Sequence, residues 1–219
     1  MEKFSEHPEE LKDLNYTSLK KLKEKKVEWT LETPYKHRIV LLKEDLVNLV
    51  VDAIVNSAQE TLTGGGGVDE AIHLRAGPGL NKEIEKTVPI RPNGARCMTG
   101  EAVLTKGHKL PAKYILHTVA PYLDEKGGLQ PRLLRNCYKS CLKLAEEKDL
   151  GSIAFPPLGT GFYGYPMLDA CEVAFEECYK WMSEKKGMKP KIFMCFISEL
   201  QHQIASELYQ NYVKESPKI

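Results

Sequence analysis

The chain has no apolar run long enough to cross a bilayer, no apolar leader at its start (MEKFSEHPEE), and no excess of charge of either sign. Lysine and arginine number 31 against 30 aspartates and glutamates, a formal net charge of +1. Without a global basic field, nucleic acid is disfavoured as a partner, and any anion site has to be local. The six cysteines, at 97, 137, 141, 171, 178 and 195, include no C-x-x-C pair and no zinc-finger spacing. That argues against a zinc ribbon or a dithiol centre and points to a reducing compartment, cytoplasm or nucleus. Cys137 and Cys141, four apart, and Cys171 and Cys178, seven apart, have the spacing of small buried hydrophobes on helix faces.

What is present suits one globular domain with a tail: 219 residues, 42% hydrophobic and 28% charged. Residues 1–35 form a charged arm with one predicted helix, Pro8 to Lys26, whose lysines read as a solvated face. Thr33 and Pro34 mark the junction with the domain, residues 36–219. Strands are predicted over Arg38 to Leu42, Ala53 to Asn56, Ala102 to Thr105, Tyr114 to Val119, Ile153 to Pro156 and Ile192 to Ile197. Helices are predicted over Val68 to Ala76, Leu80 to Lys86, Arg132 to Glu147, Met167 to Lys185 and Leu200 to Val213. Strand runs that are apolar on both faces, such as YILHTV and IFMCFI, alternate with amphipathic helices, which indicates a three-layer α/β/α domain.

Two strand-to-helix junctions are rich in glycine. In NSAQETLTGGGGVDE, residues 56–70, a strand runs into four glycines and then a helix. In residues 152–164, the strand SIAFPPL runs into GTGFYG before the helix at Met167. Glycine lets backbone N–H groups crowd around a bound group, and a helix N-terminus favours an anion, so the pair suits a diphosphate. In open α/β sheets such ligands settle beyond the carboxyl ends of the strands. Gly159, Gly161 and Gly164 satisfy G-x-G-x-x-G, but the next strand ends near Glu199, too far along for a dinucleotide fingerprint. Gly66, Gly67, Val68 and Asp69 stand where a nucleoside-triphosphate loop would end in Gly-Lys-Ser/Thr, which argues against γ-phosphate chemistry.

The segments DAIVNSAQ (52–59), GGGGVDEAIH (64–73), CMTGEAVLTKGHKLPAKYILHTVAP (97–121) and IAFPPLGTGFYGYP (153–166) resemble the macrodomains, ADP-ribose-binding modules. They are most similar to the MacroD-type branch, whose members remove ADP-ribose from proteins. The resemblance implies a three-layer fold with a central mixed six-stranded sheet. It sets Asp45 and Leu46 at the adenine, with Phe196 nearby. Ala58, Gly64, Gly65, Gly66, Gly67 and Val68 would cradle the phosphate and distal ribose, and Leu158, Gly159, Thr160, Gly161, Phe162 and Tyr163 would close over the diphosphate. Asp69 and Gln59 are the implied catalytic residues, Asp69 orienting or activating water beside the distal ribose. Read without the family, Asp69 is an acidic residue favoured by the helix dipole, Asp45 a surface turn, Phe196 a core ring and Tyr163 a rim aromatic.

Three departures qualify the likeness. Gln59 stands in place of the second asparagine of Asn-Ala-Ala-Asn; its extra methylene displaces the amide and is expected to slow or redirect turnover. Glu44 and Val47 replace a glycine and a threonine in the adenine loop, and Ala120 replaces a glycine after the fourth strand. His73 and His117 read as hydrogen-bonded structural histidines. Glu60 to Thr63 fill the place of a zinc-bearing insertion found in some microbial relatives, so no metal and no cofactor is implied. The expected activity is hydrolysis of mono-ADP-ribose from aspartate and glutamate esters, and of O-acetyl-ADP-ribose. The rival is a non-catalytic reader of ADP-ribose or mono-ADP-ribosylated proteins. Either way the chain is expected to act as a monomer, away from membranes.

Overall fold

The computed structural model describes residues 38–184 and 190–213. The predicted helix at Pro8 to Lys26 and the end of the helix predicted to reach Lys185 lie outside the described residues. The strands are β1 (Ile39–Lys43), β2 (Ala53–Ser57), β3 (Ala102–Lys106), β4 (Tyr114–Thr118), β5 (Ser152–Phe155) and β6 (Lys191–Phe196). The helices are α1 (Val68–Ala76), α2 (Gly79–Thr87), α3 (Pro131–Glu147), α4 (Met167–Glu184) and α5 (Glu199–Val213). These bounds agree with the predicted ones to within one residue at each described end, because both rest on local pattern.

The six strands form one mixed sheet in the order β1-β6-β5-β2-β4-β3. Four pairings are parallel, and only β3, at one edge, runs antiparallel to its neighbour β4. Strand alternation divides the core in two. Ala53, Val55, Ile153, Phe155, Ile192 and Met194 face the layer of α3, α4 and α5, where Leu134, Cys137, Cys171, Phe175 and Leu208 are buried. Ile54, Ala154, Ile115 and Cys195 face the layer of α1 and α2, where Ile72, Leu80 and Ile84 are buried. Covering both faces is what a parallel sheet requires, and it explains why YILHT and KIFMCF carry apolar residues at successive positions.

All six cysteines are buried free thiols. Burial pushes Cys97 up to about 12 and Cys137 up to about 11, so they pack as small hydrophobes rather than react as thiolates. Arg135 on α3 pairs with Glu176 and, at 3.0 Å, with Glu177 on α4, tying together the two longest helices.

Gly107, just past β3, donates its N–H to the Lys113 carbonyl at 2.7 Å, and a Cβ there would lie 1.8 Å from the Ala112 carbonyl oxygen. That obstacle is backbone, which cannot rotate aside. Gly107→Ala is therefore expected to cost at least about 2 kcal/mol, read in thermal unfolding as a fall in Tm of roughly 4–8 °C. An unchanged Tm would show that the β3–β4 turn is not packed this closely.

Candidate functional site: two glycine turns on one sheet edge

β2 and β5 are neighbours and run parallel, so the turns that follow them leave the same edge of the sheet side by side. β1, β6 and β4 run parallel in the same set, which brings Asp45, the end of β6 and Ala120 to that edge as well. The expectation that both glycine turns share the carboxyl edge is thus met by the topology.

The first turn is folded around Asp69. Gly64 has φ +85°, and a Cβ on it would lie 3.2 Å from the His73 ring; Gly67 has φ +62° and begins α1. No side chain caps α1, so its first-turn N–H groups are left for something else to satisfy. Asp69, only 2% exposed, accepts from Gly65 N–H at 2.7 Å through Oδ2 and from Asn56 Nδ2 at 2.6 Å through Oδ1. His73 Nε2 lies 3.3 Å from the same Oδ1. Burial alone would push the Asp69 carboxyl up, but His73, Asn56 and the Gly65 N–H together hold it below the usual carboxylate range.

Asp69 thus holds the first turn in place, since both of its oxygens already accept hydrogen bonds from the protein. Gln59 serves the same turn. Its Nε2 donates to Thr63 Oγ1 and to the Gly64 carbonyl, both at 3.0 Å, so the amide braces the turn from within.

The second turn is closed by its own backbone. Thr160 Oγ1 donates to the Pro157 carbonyl at 2.9 Å, Tyr165 N–H to Gly159 at 3.0 Å, and Gly164 N–H to Gly161 at 2.9 Å. Leu158 is fully buried, so only its backbone belongs to the edge. Phe162 is exposed, and Tyr163 is half buried, its hydroxyl 3.4 Å from the Ala58 carbonyl at the root of the first turn. Tyr122, which the sequence reading passed over, lies with its ring centroid 3.9 Å from that of Tyr163. The signal was an aromatic residue just past the end of β4, where a rim residue belongs.

Asp45 is exposed and caps a short 3-10 turn, Leu46–Asn48, by accepting from Val47 N–H at 3.1 Å through Oδ1; Leu46 beside it is buried. Phe196 ends β6 at this edge, but its side chain is 2% exposed, packed on the α3–α5 side with its ring edge-on to His202, whereas Ile197 is 78% exposed. Strand alternation turns the Phe196 ring inward, as the core reading has it. His73 Nδ1 bonds Asn81 Oδ1 at 2.8 Å, and His117 is buried. Asn56, fully buried at the end of β2, is the residue the sequence reading missed; a polar residue closing an apolar strand run, DAIVN, was the available signal. Among the described residues, no group of three or more His, Cys, Asp or Glu is placed to hold a metal ion.

The fold and its paired turns define the class, a three-layer α/β domain with two glycine turns at the carboxyl edge of its sheet. Comparison with known proteins gives the family. The profile of the Macro domain matches residues 55–174, and this chain belongs to that family. It is 40% identical over 173 residues to the O-acetyl-ADP-ribose deacetylase of Salmonella gallinarum, covering 79% of this chain and 95% of that one. It is 40% identical over 176 residues to the ADP-ribose glycohydrolase MACROD1 of Bos taurus, covering 80% of this chain and 52% of that one. Among solved structures, the Trypanosoma brucei macrodomain in complex with ADP-ribose superposes with a TM-score of 0.70 at 38% identity, covering 82% of this chain and 73% of that one.

The depressed Asp69 pKa has a stability consequence. The folded state binds this proton less readily than the unfolded chain does, so the contribution is fully present above about pH 4 and is lost as pH falls through the lowered folded value. In Asp69→Asn the single amide oxygen can accept from Asn56 or from the Gly65 N–H but not from both, and the other donor would face an N–H. The variant is expected to be about 2 kcal/mol less stable than wild type at pH 7, with the gap narrowing as pH falls below about 4. Urea denaturation across that range measures it; a gap independent of pH would mean the carboxylate charge contributes nothing.

Proposed function

We propose that this chain binds ADP-ribose with its diphosphate between the two glycine turns, and that it hydrolyses mono-ADP-ribose from aspartate and glutamate esters of proteins and deacetylates O-acetyl-ADP-ribose. Each reaction consumes one water and yields ADP-ribose and a free carboxylic acid. The observation that carries the reading concerns Gly66 and Gly161, one in each turn. Neither has a positive φ, and a Cβ on either would meet no protein atom within 4 Å. The protein's own packing therefore does not require glycine at either place, whereas a ligand lying close against the backbone does. The family membership and the named activities of the relatives support the same substrate class.

On this reading the uncapped N-terminus of α1 faces the phosphates. Asp45 accepts from the exocyclic amine of adenine through the oxygen that the turn leaves uncommitted, and Tyr163 and Tyr122 shelter the distal ribose. With Asp69 serving to hold the first turn, the substrate's own diphosphate orients the water. One observation favours the reader instead: Gln59 spends its amide nitrogen on Thr63 and Gly64, leaving it no N–H aimed outward at a water from that side chain.

Incubation with glutamate-linked mono-ADP-ribosylated protein decides between the two. Wild type is expected to remove the label and Asp69→Ala, with its first turn no longer held in place, to lose about 10²-fold in rate, while free ADP-ribose binds both in calorimetry. Gln59→Asn, whose shorter amide no longer spans the turn, is expected to speed turnover. Label retained by wild type alongside tight ADP-ribose binding would leave the reader; no binding at all would end both.

A further inference from the structure

We propose that His117 is a positioning residue: as a neutral imidazole carrying its hydrogen on Nε2, it fixes the Asn56 carboxamide so that Asn56 presents an N–H to Asp69. The role rests on the functional reading above only in its kinetic part.

Thr105, His117 and Asn56 are fully buried on the α1–α2 side of three adjacent strands. Asn56 is paired directly with His117 in the parallel β2–β4 register, and Thr105 is diagonal to His117 across β3–β4, since Val103 is its direct partner. Asn56 Nδ2 lies 2.6 Å from Asp69 Oδ1 and 3.1 Å from His117 Nδ1. His117 Nε2 lies 2.9 Å from Thr105 Oγ1.

The hydrogens can be assigned by exhaustion. The carboxamide nitrogen has two N–H groups and acts only as a donor. One points at a carboxylate, which can only accept. The other points at His117 Nδ1, which must therefore be the unprotonated nitrogen. The ring hydrogen then sits on Nε2 and is donated to Thr105. With the amide flipped, Asn56 Oδ1 would face Asp69 Oδ1, acceptor against acceptor. With hydrogen on Nδ1, two donors would face each other. Burial holds His117 neutral, pushing it down to about 3; the nearby His73 ring adds to this and Asp69 opposes it.

Among the described residues, none donates to Asn56 Oδ1 despite its burial. An unpaired buried acceptor is unfavourable, so the amide keeps this orientation because its two donated bonds hold it there. A residue at 117 that no longer accepts frees the amide to turn, and Asp69 then loses the bond that holds it over Gly65. The chain of contacts runs Thr105, His117, Asn56, Asp69, Gly65, from the edge strand of the sheet to the glycine turn.

Two substitutions separate this from simple packing. His117→Asn keeps an acceptor near the place of Nδ1, while His117→Gln reaches only toward that of Nε2. In His117→Gln the Gly65 amide is expected to exchange with solvent about tenfold faster, and kcat on the glutamate-linked substrate to fall about tenfold with KM unchanged. His117→Asn is expected to stay near wild type in both. Equal effects of the two substitutions, or none in either, would overturn the proposal. So would ¹⁵N NMR of wild type placing the hydrogen on Nδ1, which decides the matter even if neither variant folds. If wild type proves not to hydrolyse, the functional reading fails, and the Gly65 exchange and the His117 tautomer still test this one.

Discussion

Burying a carboxylate is unfavourable unless hydrogen bonds offset the loss of water, and Asp69 meets that condition from two directions at once. Asn56 reaches it from the sheet, and Gly65 reaches it from the turn. The same side chain is therefore bonded to the most rigid part of the molecule and to the least regular. The first turn inherits its precision from this contact. That turn has four consecutive glycines, two of them, Gly64 and Gly67, at positive φ, and a chain so permissive would otherwise sample many conformations. A charged acceptor that cannot leave its pocket selects one of them.

The glycines of the two turns consequently do different work. At Gly64 the positive φ and the nearness of the His73 ring exclude a side chain, and at Gly65 a Cβ would approach Asp69 Oδ2 to 3.2 Å. The first is required by the protein itself, and the second is crowded by it. Gly66 and Gly161 are required by nothing inside the fold, and that contrast gives the edge its functional meaning. Rigidity belongs to the half of the turn that touches Asp69, and access belongs to the half beyond it.

What could be read from sequence follows from which contacts are local. Helix and strand limits come from patterns within a dozen residues, and they were legible to about one position. The location of both turns was legible for the same reason. Strand order was not, because β1 lies against β6 across some 150 residues and no local pattern encodes the pairing. Phe196 shows the ambiguity of a fully apolar strand: in KIFMCF either alternation gives an apolar face, so only the register reveals which residues turn inward. His117 was legible as a hydrogen-bonded structural histidine and Asn56 was not singled out, since the partners of both arrive through the β2–β4 and β3–β4 registers. Gln59 was judged by its type, whereas its use is decided by where a flexible side chain finds acceptors, here Thr63 and the Gly64 carbonyl.

The two turns differ in how firmly they are joined to the rest. The first is held by charge-assisted bonds of 2.6 and 2.7 Å at a buried carboxylate, among the stronger hydrogen bonds available to a side chain. The second is joined to the first by the Tyr163 hydroxyl at 3.4 Å from the Ala58 carbonyl, longer than a good O–H···O bond, and to the segment after β4 by ring packing against Tyr122 at 3.9 Å. Ring packing is weakly directional compared with a hydrogen bond to a charge, so Tyr163 can shift along the face of Tyr122 at little loss. The proposed substrates, nucleotide sugars bearing acyl groups of different size, call for one fixed wall to register the phosphates and one compliant wall to fit what is attached. Asp69 makes the first turn the fixed wall, and the aromatic contact leaves the second free to comply.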